Sequence, residues 1–211
     1  PHKKLRNLTV NFLPYNLTSD QMTVIKEIDN DLASEDKMLR LLQGDVGSGK
    51  TIVAFLTLIS AVEAGFQGAF MAPTEILARQ HFEFVKPIAS AIGISVDIIT
   101  GKDAKSQRAL ILENLETGAT NLLIGTHALF QNEVKFKNLG YAVIDEQHKF
   151  GVNQRLALGD KGAGTNILIM TATPIPRTLT MIGYGDLDIS YLTSKLPGRV
   201  PIKTKANLQN R

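Results

Sequence analysis

Eight consecutive residues, Gly44-Asp45-Val46-Gly47-Ser48-Gly49-Lys50-Thr51, fit the spacing G-x-x-x-x-G-K-[ST] without a mismatch. Glycines at those places let a loop curl until successive backbone N–H groups point inward at phosphate oxygens. A helix that starts at the loop's end aims its positive N-terminus at the same spot. In that arrangement Lys50 reaches the β- and γ-phosphates of a nucleotide, and the Thr51 hydroxyl sits on Mg²⁺. A glycine-rich turn that fits by chance would lack the flanks seen here: the apolar run Met38–Gln43 precedes the loop, and a helix-compatible run follows it.

A second group lies about a hundred residues on. Tyr141-Ala142-Val143-Ile144 is apolar and runs into Asp145, Glu146, Gln147 and His148. Phosphoryl transfer needs a carboxylate for the metal ion and a group that orients the attacking water. Asp145 suits the metal, held through its water shell. Glu146 suits the general base. Side by side the two carboxylates repel, and a bound cation offsets that repulsion. On its own the pair reads equally well as a polar strand end. On the same chain as the phosphate loop it reads as the other half of an ATP and Mg²⁺ site.

The elements that must position these groups follow from hydropathy. Short runs that are apolar nearly throughout occur at Met38–Gln43, Ala69–Ala72, Val96–Thr100, Leu122–Gly125, Tyr141–Asp145 and Ile167–Thr171. Strands of a parallel sheet covered on both faces have this pattern. Helix-compatible stretches Lys50–Ala64, Glu75–Ile92 and Lys105–Thr117 alternate with them. The expected fold is therefore α/β, a mostly parallel sheet with helices on both faces, of the P-loop type. Residues 1–35 are expected to form a helical extension, 36–193 the nucleotide-binding domain, and 194–211 an exit linker rich in turn-forming residues.

Composition excludes more than it selects. Of 211 residues, 44% are hydrophobic and 20% charged, which argues for a packed core and against disorder. A net charge of +3 permits a nucleic-acid partner without demanding one. Lys3, Lys4 and Arg6 form a basic start that reads as a solvated face or a small binding patch. Cysteine is absent, so no disulfide scaffold or thiolate chemistry is available. The longest apolar run, Ile52–Ala64, is too short and too interrupted to span a bilayer. The first residue is proline and the last stretch is polar, which leads us to expect a piece of a longer protein.

Further polar residues sit just beyond strand ends, where ligands gather in open α/β sheets: Thr74, Arg79, Thr126 and His127. Hydroxyl and guanidinium groups there suit contacts with a phosphate backbone, and Thr74 also suits a helix N-cap. Thr18-Ser19-Asp20-Gln21 has the spacing of a capping box, in which Gln21 reaches back to the backbone of Thr18. His148 is placed either as a strand-end histidine or as a sensor of the γ-phosphate.

Taken in order, these segments resemble superfamily 2 helicases and translocases. Asp145-Glu146-Gln147-His148 resembles the acidic motif of that superfamily. Met71–His81 and Gly125–Leu129 resemble its DNA-contacting motifs, and Thr171-Ala172-Thr173-Pro174 the motif that couples nucleotide state to DNA grip. Phe12–Gln21 resembles the adenine-reading segment, which gives Gln21 a second possible role beside capping. Gly-Asp-Val-Gly-Ser-Gly-Lys-Thr, Gly-Thr-His-Ala-Leu-Phe-Gln, Asp-Glu-Gln-His-Lys-Phe-Gly-Val-Asn-Gln-Arg and Thr-Ala-Thr-Pro-Ile-Pro-Arg-Thr together are similar to the RecG family of bacterial branched-DNA helicases. The sibling family of transcription-repair coupling factors shares the last of these, and Ser48 and Gln147 favour the RecG family over it.

The resemblance implies a RecA-like motor domain that binds ATP and Mg²⁺ and belongs to an ATP-dependent DNA helicase. It implies catalytic or nucleotide roles for Gln21, Gly44–Thr51, Asp145, Glu146 and His148. It implies DNA contact or coupling through Thr74, Arg79, Thr126, His127, Gln147, Thr171, Thr173 and Arg177; Arg177 reads equally as a surface arginine. Implied partners are branched or duplex DNA, a second RecA-like domain and a wedge domain of the same full-length chain. The implied setting is a monomer in the bacterial cytoplasm, at the nucleoid, with no membrane. A nucleotide switch that binds without turnover is the reading from another class, and Glu146 argues against it.

Overall fold

The computed structural model describes residues 3–101, 103–145, 164–173 and 187–193. Two helices open the chain, α1 (Lys4–Asn11) and α2 (Ser19–Leu32). Strands and helices then alternate: β1 (Leu39–Gly44), α3 (Lys50–Glu63), β2 (Gln67–Met71), α4 (Glu75–Ala91), β3 (Val96–Ile99), α5 (Lys105–Thr117) and β4 (Leu122–Gly125). A short 3₁₀ turn, His127–Phe130, leads to β5 (Leu139–Asp145), β6 (Asn166–Thr171) and β7 (Asp188–Leu192).

The strands form one seven-stranded sheet in the order β3-β4-β2-β5-β6-β1-β7, and every neighbouring pair is parallel. The period-2 alternation of strand side chains divides the core in two. Leu42, Phe70, Ile124, Tyr141, Val143, Leu168 and Met170 face α2, α3 and α4. Met71, Ile99, Leu123, Ala142 and Ile144 face the layer that holds Ile111 and Leu115 of α5 and Leu129 of the 3₁₀ turn. Both faces are covered, which is why the strands read as unbroken apolar runs. The expected α/β architecture is the one observed. All six expected strands are present, with ends moved by a residue or two.

β7 was not expected as a strand. Its sequence, Asp188-Ile189-Ser190-Tyr191-Leu192, makes no continuous apolar run; it lies at the sheet's edge, with only Ser190 and Leu192 buried and Tyr191 exposed. A polar clasp holds it. Arg40 of β1 is 8% exposed. Its Nε donates to Asp31 of α2 at 2.6 Å and its Nη1 to Ser190 Oγ at 2.9 Å, with Asp188 3.7 Å away. Burial opposes the charge on Arg40, but the hydrogen bond to Asp31 and the carboxylates of Asp31, Asp188 and Glu27 outweigh it and hold the guanidinium above its ordinary pKa. The basic start is likewise bound within the fold: Arg6, buried, and Lys3 both pair with Asp29 of α2, at 2.7 and 2.8 Å.

Truncating Arg40 leaves Asp31 without its partner and removes the guanidinium that bridges α2 and β7, while the bond from Ser190 to Glu27 of α2 remains. Arg40→Met should cost about 2 kcal/mol, the scale of hydrogen bonds to charged groups. Arg79→Met removes an exposed i,i+4 pair with Glu75 and should cost less than about 0.5 kcal/mol. Urea midpoints for the two variants check the contrast; equal shifts would contradict it.

Candidate nucleotide site and adjoining sheet edge

The phosphate loop is tethered at both ends. β1 enters it at Gly44, where an added Cβ would lie 2.6 Å from Ser48 Oγ and 3.0 Å from Leu192 Cβ, so only glycine fits. α3 leaves it at Lys50, and ten of that helix's residues are buried. Between the two, Ser48 N donates to the Asp45 carbonyl at 3.1 Å, closing a turn. Gly49, the N-cap of α3, has φ 89°, a left-handed conformation that side-chain-bearing residues resist.

Lys50 is folded back over the loop. Its Nζ donates to the carbonyls of Gly44 at 2.6 Å and Asp45 at 3.1 Å. Thr51 is partly buried one residue further on, and Val46 at the loop's tip is exposed. Ser48 Oγ is buried and finds no hydrogen-bond partner among the described residues. An orphaned buried hydroxyl in the same loop as a buried ammonium is what an oxygen-rich anion would satisfy. These residues fit a nucleotide's phosphates.

Gln21 fills the capping role expected of it and adds another. Thr18 Oγ1 accepts from Gln21 N at 3.2 Å, and Gln21 Oε1 accepts from Thr18 N at 2.9 Å. The amide nitrogen then donates to the Ser48 carbonyl at 3.0 Å. α2 is thereby braced against the phosphate loop. Gln21 is fully buried, so reading an adenine edge would require it to be uncovered.

β5 delivers Asp145 to the same edge of the sheet. Pairing sets Asp145 against Met170 of β6, and Thr171 of β6 against Gln43 of β1. Asp145, Thr171 and the phosphate loop are thus carried on three successive strands. Thr171 is buried, and its hydroxyl meets Thr173 Oγ1 at 3.0 Å and accepts from Thr173 N at 3.2 Å. Among the described residues no cluster of three or more His, Asp or Glu gathers to hold a metal. Thr51 and Asp145 suit magnesium instead, which takes one or two protein ligands plus waters and phosphate oxygens.

Four other expected residues lie further along that edge, after β2 and β4. Thr74 caps α4, its hydroxyl accepting from Leu77 N at 3.3 Å. Arg79 is exposed and pairs with Glu75 at 3.0 Å and with Asp103 of the β3–α5 loop at 3.5 Å. Thr126 is buried at the start of the 3₁₀ turn, and His127 is exposed within it. Glu146, Gln147, His148 and Arg177 lie outside the described residues, as does the stretch expected to form the exit linker.

One contact was not foreseen. His81, on the buried side of α4, places Nε2 3.1 Å from Asp145 Oδ2, and both side chains are 11% exposed. A signal for it existed. Ala78, Val85 and Ala89 form the buried stripe of α4, and position 81 continues their i, i+3, i+4 spacing with a polar side chain.

The profile of the DEAD/DEAH box helicase family matches residues 18–182. The chain belongs to that family. It is 48% identical over 202 residues to the ATP-dependent DNA helicase RecG of Borreliella burgdorferi, covering 96% of this chain and 29% of that protein. It is 48% identical over 201 residues to the protein of the same name from Thermotoga maritima, covering 95% and 26%. Among solved structures, that of RecG bound to a three-way DNA junction superposes with a TM-score of 0.82 at 45% identity, covering 94% of this chain and 27% of the other. The helicase MrfA bound to DNA shares the fold, with a TM-score of 0.69 at 17% identity over 92% of this chain and 30% of that one. The resemblance to RecG read from the motifs is borne out, and the chain spans less than a third of the length of the RecG relatives it matches. Among the described residues no helix is long and apolar enough to cross a membrane.

Gly49 tests the bracing of the loop. An added Cβ would lie 2.1 Å from Gln21 Nε2. Gly49→Ala should therefore weaken binding of a fluorescent ADP analogue at least tenfold, about 1.4 kcal/mol. Gly65 has the same φ of 89° with nothing within 4 Å of an added Cβ. Gly65→Ala should lose stability yet bind the analogue normally.

Proposed function

We propose that this chain is the ATP-binding motor domain of an ATP-dependent DNA helicase that remodels branched DNA, such as stalled forks and four-way junctions. One observation carries the reading. The phosphate loop and Asp145 share one stretch of the sheet's carboxyl edge, and polar residues suited to a phosphate backbone line the stretch beside it. The similarity to a RecG structure bound to a three-way junction supports branched DNA as the substrate. Partners in this reading are a second RecA-like domain and a wedge domain of the full-length protein, which works as a monomer in the bacterial cytoplasm at the nucleoid.

Magnesium, when bound, offsets the negative charge that develops as the γ-phosphoryl group transfers. The remaining work falls to the chain. Backbone N–H groups of residues 44–51 and the helix dipole of α3 hold the phosphates. Lys50 exchanges its two carbonyl partners for phosphate oxygens. Thr51 and Asp145 hold the ion. Glu146 orients the attacking water and accepts its proton, and His148 senses the γ-phosphate. Gln21 braces the phosphate loop from α2, and it reads the adenine edge only once uncovered. Thr74, Arg79, Thr126 and His127 grip the DNA backbone without reading sequence, while Gln147, Thr171, Thr173 and Arg177 relay nucleotide state to that grip.

The test is ATP turnover by the full-length protein with and without forked DNA; stimulation by the fork is expected. Lys50→Ala should weaken ATP binding at least about tenfold, because a charge-assisted contact is lost. Glu146→Gln should bind ATP nearly normally and turn over none. Equal loss of binding in both variants would overturn the assigned roles. DNA binding, followed with a fluorescent duplex, should be sequence-independent and fall steeply with salt.

A further inference from the structure

His81 lies where the two stretches of the sheet edge meet. In the strand order β3-β4-β2-β5-β6-β1-β7, the nucleotide residues belong to β5, β6 and β1. The residues suited to DNA follow β2 and β4. α4 starts just after β2 and carries Thr74 and Arg79 in its first turns. Two turns below Thr74, the same helix sends one side chain across to the end of β5.

That side chain is held from two sides. Its ring packs on Phe70 of β2, with centroids 4.6 Å apart and planes 46° apart. Its Nε2 lies 3.1 Å from Asp145 Oδ2. An ionised carboxylate can only accept, so Nε2 carries the hydrogen. The bond holds Oδ2 and so fixes the rotation of the carboxylate, leaving Oδ1 as the oxygen not engaged by His81. Phe70 is fully buried, and a ring packed against it has little freedom to swing away. A rigid donor on one carboxylate oxygen is the arrangement by which outer groups orient a metal-holding residue.

We propose that His81 is a positioning residue for the magnesium site: it holds the Asp145 carboxylate in its metal-binding orientation and ties α4 to that site. The inference rests on the reading of Asp145 as a magnesium-holding residue. A histidine that merely anchored α4 to the sheet would affect stability and leave metal-dependent affinity alone.

The experiment compares the affinity of the full-length protein for a fluorescent, non-hydrolysable ATP analogue in EDTA and in saturating Mg²⁺. The ratio of the two affinities is the metal's contribution. His81→Phe keeps an aromatic ring against Phe70 and removes the donor. It should leave the affinity in EDTA unchanged and lower the metal's contribution about tenfold, the lower end of the effect of losing such an outer partner. His81→Gln, whose amide nitrogen can stand near the position of Nε2, should recover most of it. Asp145→Asn should lose it almost entirely. If Asp145→Asn loses the metal's contribution while His81→Phe keeps it, the positioning role is wrong. If His81→Phe weakens binding equally in EDTA, or His81→Gln recovers nothing, the residue acts through packing and the proposal also fails. If Asp145→Asn itself keeps the metal's contribution, it is the reading of Asp145 that falls.

Discussion

The burial of α3 is the constraint on which the site depends. Helices on the surface of a globular domain usually hide one stripe. Here Ile52, Val53, Ala54, Phe55, Leu56, Leu58 and Ile59 are all buried, so the helix is enclosed by α1, α2 and the sheet. Each of the large side chains contributes roughly 1.5–3 kcal/mol by leaving water. Thr57, the polar residue in that run, bonds back to the carbonyls of Val53 and Ala54 and meets the hydroxyl of Tyr141 at 3.1 Å. Burial pushes the Tyr141 phenol far above its ordinary pKa, so the hydroxyl stays neutral in this contact. A helix fixed in this way cannot slide along its axis. Its N-terminal turn is therefore a stationary wall for the phosphate loop, and the loop's shape follows from where β1 stops and α3 starts.

How much of this was legible in the sequence depends on the range of the interaction concerned. The phosphate loop and its flanking elements are local, and spacing alone located them. Burial of both sheet faces leaves a mark in every strand, so six strands could be read from apolar runs. β7 could not, because its buried positions are Ser190 and Leu192, which make no apolar run, and it is held by side chains from β1 and α2 far away in the chain. Thr18 and Gln21 announced a capping box, three residues apart. The bond from Gln21 to Ser48, twenty-seven residues away, depends on how α2 lies against α3, and no spacing rule contains that. The His81–Asp145 contact spans sixty-four residues and left only a polar residue in an apolar stripe as its trace.

Strand order explains why one sheet can serve two ligands. In a parallel sheet all carboxyl ends face the same way, so every loop that follows a strand opens onto one edge. The chain builds β1, β2, β3 and β4 in sequence but seats β5 and β6 between β2 and β1. That insertion puts two strands between β1, which feeds the phosphate loop, and β2, which leads to Thr74, and three between β1 and β4, which leads to Thr126; at the usual strand spacing these are roughly 14 and 19 Å. In the proposed reading a nucleotide occupies one end of this edge and a polymer backbone the other. The insertion also makes β5 the shared boundary, and Asp145 ends that strand.

The loop's internal hydrogen bonds explain how it can be both preformed and receptive. A buried ammonium with no partner is costly, and Lys50 avoids that cost by donating to two carbonyls of its own loop. Those carbonyls are neutral acceptors, whereas phosphate oxygens carry charge and accept more strongly. In the proposed reading, exchange of partners is favourable and is made by the side chain, since Gln21 at Ser48 and the turn from Ser48 to Asp45 hold the backbone. Ser48 Oγ differs: buried without a hydrogen-bond partner among the described residues, it has one to gain. Affinity for a phosphate chain is thus built from polar groups positioned in advance by packing, and the ordering cost of that positioning is met when the domain folds rather than when the nucleotide binds.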